Sequence, residues 1–310
     1  MQKFIILPDI TCDLSAEIRE FIGLEDYVKG HVSINDADIV TDLEWESVSR
    51  DGFFKTLMDK KAKVTSAPAS PEEYYQIFKK YTDEGYAIIS TAISSKISST
   101  YNITVSAMER VLKENPEAKI YCVDTLRMSG THGLLVLYAC LLKKEGKSYE
   151  EIIEWLENNK ARVHQMGPID DLTFIARRGK ISKGKAIMGN LVGVKPMGDC
   201  NAEGYVTVLA KAKGIKKALK ATALYVRALA ENVEDQYLLI AHSDREDIAN
   251  ELKATIEKTV KCKKVFVTDV FASCGTNIGP GMIGVNFLGK PVSEDGAYEK
   301  EALVDALSKS

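Results

Sequence analysis

No two of the six cysteines stand in a C-x-x-C pair, and the four histidines form neither an H-x-H nor an H-E-x-x-H spacing. Those absences argue against zinc-ribbon, dithiol-redox and zinc-protease chemistry. G-x-S-x-G is missing too, so no hydrolase nucleophile turn is present. Eight prolines and 21 glycines in 310 residues are too few for a disordered or fibrous chain. No apolar run approaches the roughly 18 residues of a membrane span. A formal net charge of −3 supplies no global basic field for nucleic acid or an anionic surface. Only four apolar residues, Phe4 to Leu7, stand before Pro8 and Asp9, too short a stretch for a secretory signal. The expectation is a cytoplasmic protein whose cysteines are free thiols. Without secretion, the glycosylation acceptor Asn102-Ile-Thr104 carries no meaning.

What is there is ordinary globular material, 45% hydrophobic and 27% charged, long enough for two domains. The first half alternates strand and helix. Residues 3–7, 87–93 and 119–123 read as strands, with a short extended segment at 64–66. Residues 44–60 read as a helix with Trp45, Val48, Phe53, Phe54 and Leu57 on its apolar side. Ser70-Pro-Glu-Glu73 and Ser148-Tyr-Glu-Glu151 are capping boxes opening two more helices. A helix follows the hydroxyl run 94–100, and a long apolar helix covers 131–144. Strands separated by helices predict a parallel sheet with right-handed crossovers. The second half mixes hairpin-like strands at 194–197 and 205–209 with crossover strands at 237–241, 265–270 and 282–287. A short helix is expected at 170–176 and longer ones at 216–230 and 244–259. The expected architecture is α/β in two domains. Residues 1–163 form a domain on a parallel sheet and residues 168–310 a second domain on a mixed sheet.

The sharpest local feature is Ile88 to Tyr101, a buried strand running into Ser94, Ser95, Ser98, Ser99 and Thr100. Helix N-termini present free N–H groups and the positive end of a dipole, so such a run is either plain capping or an anion site. Thr65-Ser66 and Asp124-Thr125 also follow strands and face the crevice where α/β sheets take ligands. Gly179-Lys-Ile-Ser-Lys-Gly184-Lys185-Ala186 nearly spells a phosphate loop, but Ala186 stands where a magnesium-binding hydroxyl belongs. The basic stretch 211–220 is read as a solvated helix face rather than a nucleic-acid contact. Asn277-Ile-Gly-Pro-Gly281 is a turn or a close backbone approach. No catalytic constellation emerges, which favours a binding protein over an enzyme.

Taken in order, these stretches resemble the DegV family of bacterial fatty-acid-binding proteins. The matching segments are Asp9-Ile-Thr-Cys-Asp-Leu14, Thr65-Ser-Ala-Pro-Ala-Ser70, Ile93-Ser-Ser-Lys-Ile-Ser-Ser-Thr-Tyr101, Tyr121-Cys-Val-Asp-Thr125, Arg177-Arg-Gly-Lys-Ile-Ser182, Gly189-Asn-Leu-Val-Gly-Val-Lys-Pro196 and Gly279-Pro-Gly281. The resemblance implies an α/β/α layer with a parallel sheet over 1–163, a smaller α/β domain with a mixed sheet over 168–310, and a long-chain fatty acid between the two domains with its tail in an apolar tunnel. It implies a partner, a fatty-acid kinase that makes acyl phosphate for phospholipid synthesis. Carried over position by position, the carboxylate contacts fall on Thr65, Ser95 with Ser94 beside it, Lys180 where the family has arginine, and Asn277 where it has histidine. Ile10, Arg178 and Ser99 are further departures. No catalytic residue, metal or cofactor is assigned. The readings kept open beside this one are an acyl- or phosphoryl-transferring enzyme with Ser95 as nucleophile, and a regulatory nucleic-acid-binding module using 211–220.

Overall fold

The computed structural model describes residues 2–170, 172, 175, 176 and 193–310. Strands β1 (Phe4–Pro8), β5 (Ala87–Ala92) and β6 (Ile120–Asp124) pair in parallel in the order β1-β5-β6. Every residue of β1 and β5 is buried, as a parallel sheet covered on both faces requires. Alternation along β1 sends Phe4 and Ile6 to one core, and Ile5 and Leu7 to the other. The second core is closed by helices α3 (Pro71–Asp83) and α4 (Thr100–Glu114). The first is closed by α1 (Ala16–Ile22), α5 (Gly130–Lys144) and α6 (Tyr149–Asn159). Both capping boxes form, with Ser70 and Ser148 each accepting from the glutamate amide three residues on.

The second sheet has six strands, in the order β11 (Lys264–Asp269), β10 (Tyr237–His242), β12 (Ile283–Leu288), β7 (Val163–Pro168), β8 (Val194–Cys200) and β9 (Val206–Lys213). Only β10 and β11 are parallel, so the sheet is mixed, as the sequence predicts. Val163–Pro168, the stretch where the sequence places the boundary between domains, is itself the strand β7. Helices α7 (Ile215–Leu229), α8 (Glu246–Thr259) and α10 (Ala297–Ser308) cover the outer face.

Helix α5 lies between the two sheets. Leu134, Leu135, Val136 and Leu137 are all fully buried, and its core also takes in Leu239 and Phe266 from the second sheet. Each such side chain contributes about 1.5–3 kcal/mol on burial. The close approach is set by Gly133, where an added Cβ would stand 2.3 Å from the Cys12 carbonyl oxygen. The fully buried Arg127 guanidinium adds a polar tie, donating through Nε to the Val163 carbonyl at the start of β7.

Three features depart from the sequence reading. The 44–60 helix begins only at Arg50, as α2 (Arg50–Met58). Before it, the Asp42 carboxylate accepts from the amides of Glu44, Glu46 and Ser47, and Trp45 adopts a φ of 60° in that turn. Trp45 still packs on Phe53 and Phe54, so its apolar spacing is real although its backbone is not helical. Strands β2 (Gly30–Ile34) and β3 (Ala37–Thr41), which the sequence reading does not contain, form a hairpin through Asn35 and Asp36, both at positive φ. Two such residues define the tight turn that suits strand twist. With β4 (Val64–Ala67) they make a third sheet in the order β3-β2-β4. The last departure is the short helix α9 (Ala272–Ile278) after β11, which packs on β2 and β4.

Candidate functional site

The C-terminal ends of β1, β5 and β6 meet the six-stranded sheet and the third sheet around one cavity of about 320 Å³. That lies within the size range of small-molecule sites. Its apolar wall includes Ile93, Ile97, Met128, Ile169, Ile175 and Met282. A different character appears where α4 begins, with Ser98, Ser99 and Thr100 lining the cavity. Ser99 is the N-cap residue, and its side chain makes no cap bond to the helix. Beside them, on α3, stands Tyr74. It is 1% exposed and lines the cavity, and its hydroxyl has no hydrogen-bond partner among the described residues. Burial pushes the phenol well above its ordinary pKa, so it is a neutral donor. Lys29 is the cation on the cavity wall among the described residues, and it is exposed.

On the wall formed by β4 and α9, the Asn277 amide donates to Ser66 Oγ at 2.9 Å. The Ser98 and Thr100 hydroxyls pair with each other at 2.7 Å, and most of the remaining polar lining is likewise paired within the protein. Asp9 accepts from the amides of Thr11 and Ile93 and from the Thr11 hydroxyl. That hydroxyl, already donating, accepts from His132 Nδ1 at 3.3 Å, while His132 Nε2 meets the Thr91 hydroxyl at 2.8 Å. Burial lowers the His132 pKa, in keeping with a neutral ring in that tautomer. Ser129 donates to Asp13, and Ser273 shares a hydrogen bond with Thr41. The Cys274 thiol, also on the wall, is pushed up by burial and stays protonated.

The residues expected from the sequence are placed unevenly. Asn277 lines the cavity. Thr65 is exposed, and its neighbour Ser66 lines the cavity instead, because side chains alternate along β4. Ser94 and Ser95 build the turn ahead of α4 rather than the cavity wall. Ser94 is fully buried, its amide on the Arg127 carbonyl and its Oγ accepting from the Lys96 amide. Ser95 is half-buried, with its amide on Asp124 Oδ1 at 3.1 Å. Lys180 and the phosphate-loop-like run 179–186 lie outside the described residues. Thr65-Ser66 was read as facing the crevice, whereas Tyr74 and Lys29 were not legible as site residues. Tyr74 sits in the apolar stripe of α3, where helical spacing marks it as core. Ser66 carried a usable signal, the period of two from buried Val64.

Chemically, the cavity offers neutral donors and a helix N-terminus on one side and hydrocarbon on the other. Among the described residues no group of three His, Cys, Asp or Glu side chains could hold a metal. No helix among them is long and apolar enough to cross a membrane.

Comparison with known proteins agrees with this architecture. A family model described as uncharacterised protein, DegV family, matches residues 3–290. A DegV domain-containing protein of Clostridium perfringens is 32% identical over 289 residues, covering 93% of this chain and 98% of its own. A DegV family protein from Thermus thermophilus, solved for its fatty acid binding, superposes with a TM-score of 0.82 at 25% identity, covering 93% of this chain and 99% of that one. A Ruminococcus gnavus protein of the family, solved with vaccenic acid, gives a TM-score of 0.82 at 22% identity over 92% of this chain and all of its own. The Streptococcus pneumoniae fatty acid kinase B3 protein loaded with linoleic acid gives 0.78 at 20% identity over 93% and 100%. The chain belongs to the DegV family.

Proposed function

We propose that this chain binds one long-chain fatty acid in the cavity between its N-terminal and C-terminal units, and presents it to a separate fatty-acid kinase for phospholipid synthesis. The observation that carries the reading is the two-sided wall, with Ile93, Ile97, Met128, Ile169 and Met282 for an alkyl chain and Tyr74, Ser98, Ser99 and Thr100 for a carboxylate. A carboxylate taken from water needs donors, and the Tyr74 hydroxyl, unpartnered among the described residues, and the start of α4 supply them. The tail contributes about 0.8 kcal/mol per buried CH₂, reduced by the cost of ordering the ligand. The relatives solved with vaccenic and linoleic acid support the ligand class, and the one named as a fatty acid kinase B protein supports the kinase partner.

The role is that of a carrier rather than a catalyst. Were Ser95 a nucleophile it would need a base, and among the described residues no histidine or carboxylate reaches its hydroxyl. Denaturing extraction of the purified protein, with mass spectrometry of the extract, tests the reading. About one long-chain fatty acid per chain is expected. An extract without lipid, together with no uptake of added fatty acid, would overturn it.

A further inference from the structure

Most polar groups on the cavity wall are consumed by the protein itself, as the pairs of Asp9, Thr11, Ser129 and Ser273 show. Tyr74 is not, and the reading above gives its hydroxyl to the carboxylate. Gln165 is another exception, and a carboxylate on the Tyr74 side does not account for it. Strand β7 alternates, sending His164 and Met166 away from the cavity and Gln165 and Ile169 into its wall. Ile169 bridges to Met282, so the wall around Gln165 on this sheet is apolar. The Gln165 backbone amide is taken by Asp199 at 2.8 Å. Its side-chain amide has no partner among the described residues.

The neighbouring strand supplies a control. Asn286 stands directly opposite Gln165 in the register of β12 and β7. It too is an amide on this sheet, and it is satisfied within the protein, donating to the Leu239 carbonyl at 2.7 Å. A buried amide that exists only to hold the fold is paired in that way. The Gln165 amide, on a half-buried side chain with two donor hydrogens and an acceptor oxygen, instead lines the cavity that an alkyl chain would fill. Against plain methylene groups it would lose water and gain nothing, and a leucine or methionine would serve better there.

From this we infer that the cavity is built for an oxygenated acyl chain: a long-chain fatty acid carrying a hydroxyl or oxo group along its tail, hydrogen-bonded by Gln165. The inference rests on the fatty-acid reading of the same cavity and narrows it. A hydroxyl fits the amide best, since it can donate to the oxygen and accept from the nitrogen at once. The polar tail group then discriminates between acids of equal length, because a plain chain leaves the amide unpaired.

The test is a displacement titration of lipid-free protein with stearate and with a series of hydroxystearates in which the hydroxyl moves along the chain. At one position the hydroxylated acid should bind about tenfold more tightly than stearate. Gln165→Met, which keeps the length of the side chain and removes the amide, should abolish that preference and leave stearate binding equal or tighter. Stearate binding with no hydroxyl position preferred by the wild type, or a preference that survives Gln165→Met, overturns the inference and leaves the fatty-acid reading standing. Failure of every acid in the series to bind overturns both.

Discussion

Removing one oxygen from Tyr74 should move stability and binding in opposite directions. Tyr74→Phe keeps the ring, its edge contact with Phe78 at 5.8 Å between centroids, and its place in the core of Ile5, Leu7 and Ile88. What disappears is a hydroxyl that is 99% withdrawn from solvent with its residue (1% exposed) and unpartnered among the described residues. Among the described residues that hydroxyl gains no hydrogen bond to offset its lost hydration in the ligand-free protein, so its removal should leave stability equal or higher by up to about 1 kcal/mol. With a carboxylate bound, the same hydroxyl makes a charge-assisted hydrogen bond worth about 1.5–3 kcal/mol. Fatty-acid affinity should therefore fall roughly 10- to 100-fold. Urea denaturation of the lipid-free proteins and displacement of a fluorescent fatty acid read the two effects separately. A variant that binds as tightly as the wild type would show that the carboxylate does not sit at Tyr74. A variant that loses affinity and stability together would show that the hydroxyl has a structural role the geometry does not reveal.

Ser98→Ala should weaken fatty-acid binding by up to about tenfold, from the loss of one donor, whereas Ser95→Ala should leave it near the wild-type value; the same titration compares them, and the reverse order would place the carboxylate on the turn at 94–95. His164 is buried with Nδ1 on Asp199 and Nε2 on the Lys290 carbonyl, both at 2.8 Å. Both partners are acceptors, so the ring is held as imidazolium; burial alone disfavours that charge, but Asp199 outweighs it and raises the pKa above 6.5. Its contribution is therefore full below about pH 6.5 and is lost as pH rises through the raised value, and His164→Gln, which leaves Asp199 with its neutral donors Gln165, Cys200 and Tyr225 but no charged partner, should cost about 3 kcal/mol at the acid end. Denaturation midpoints across pH, compared between the two proteins, check the sign. Asp13 behaves in the opposite chemical sense: burial pushes its carboxyl from 3.8 up to about 8, despite donors from Ser129 and the Phe271 amide. The folded state then holds an extra proton between those values, so Asp13 makes the wild type lose stability as pH rises through that window, and Asp13→Asn should flatten the slope there; an unchanged slope would refute the buried acid.

Much of the fold was legible because its signals are local. The two capping boxes fix the starts of α3 and α6, and the unbroken burial of β1 and β5 announces a parallel sheet before any partner is known. The β2–β3 hairpin was also locally encoded, by Asn35-Asp36 between alternating segments. Its outer strand is largely exposed, with Val40 48% exposed, so it lacks the apolar contrast that makes a strand conspicuous. The reading of 44–60 as one helix erred for the opposite reason. Trp45 and Phe53 do share a core, but a side chain can reach that core from a turn pinned by Asp42 as well as from a helix.

The site was harder, because its position depends on which way single side chains point. Thr65 and Ser66 are adjacent hydroxyls in one strand, and the period of two sends one to solvent and one to the cavity; only the pairing of β4 with β2 and the packing of α9 on it settles which. Tyr74 and Gln165 show the deeper reason. Periodicity sorts residues into inside and outside, and a ligand cavity is a third environment that shares the inside positions. Tyr74 is counted with the core of α3, and Gln165 reads as one polar residue in the break between two domains. What marks both as ligand groups is a hydrogen bond that they do not make among the described residues. Such a deficit has no signature in spacing or composition, since it is defined only after every neighbouring donor and acceptor has been placed. That is why the fold of such a chain can be read from its sequence well before the choice of ligand can.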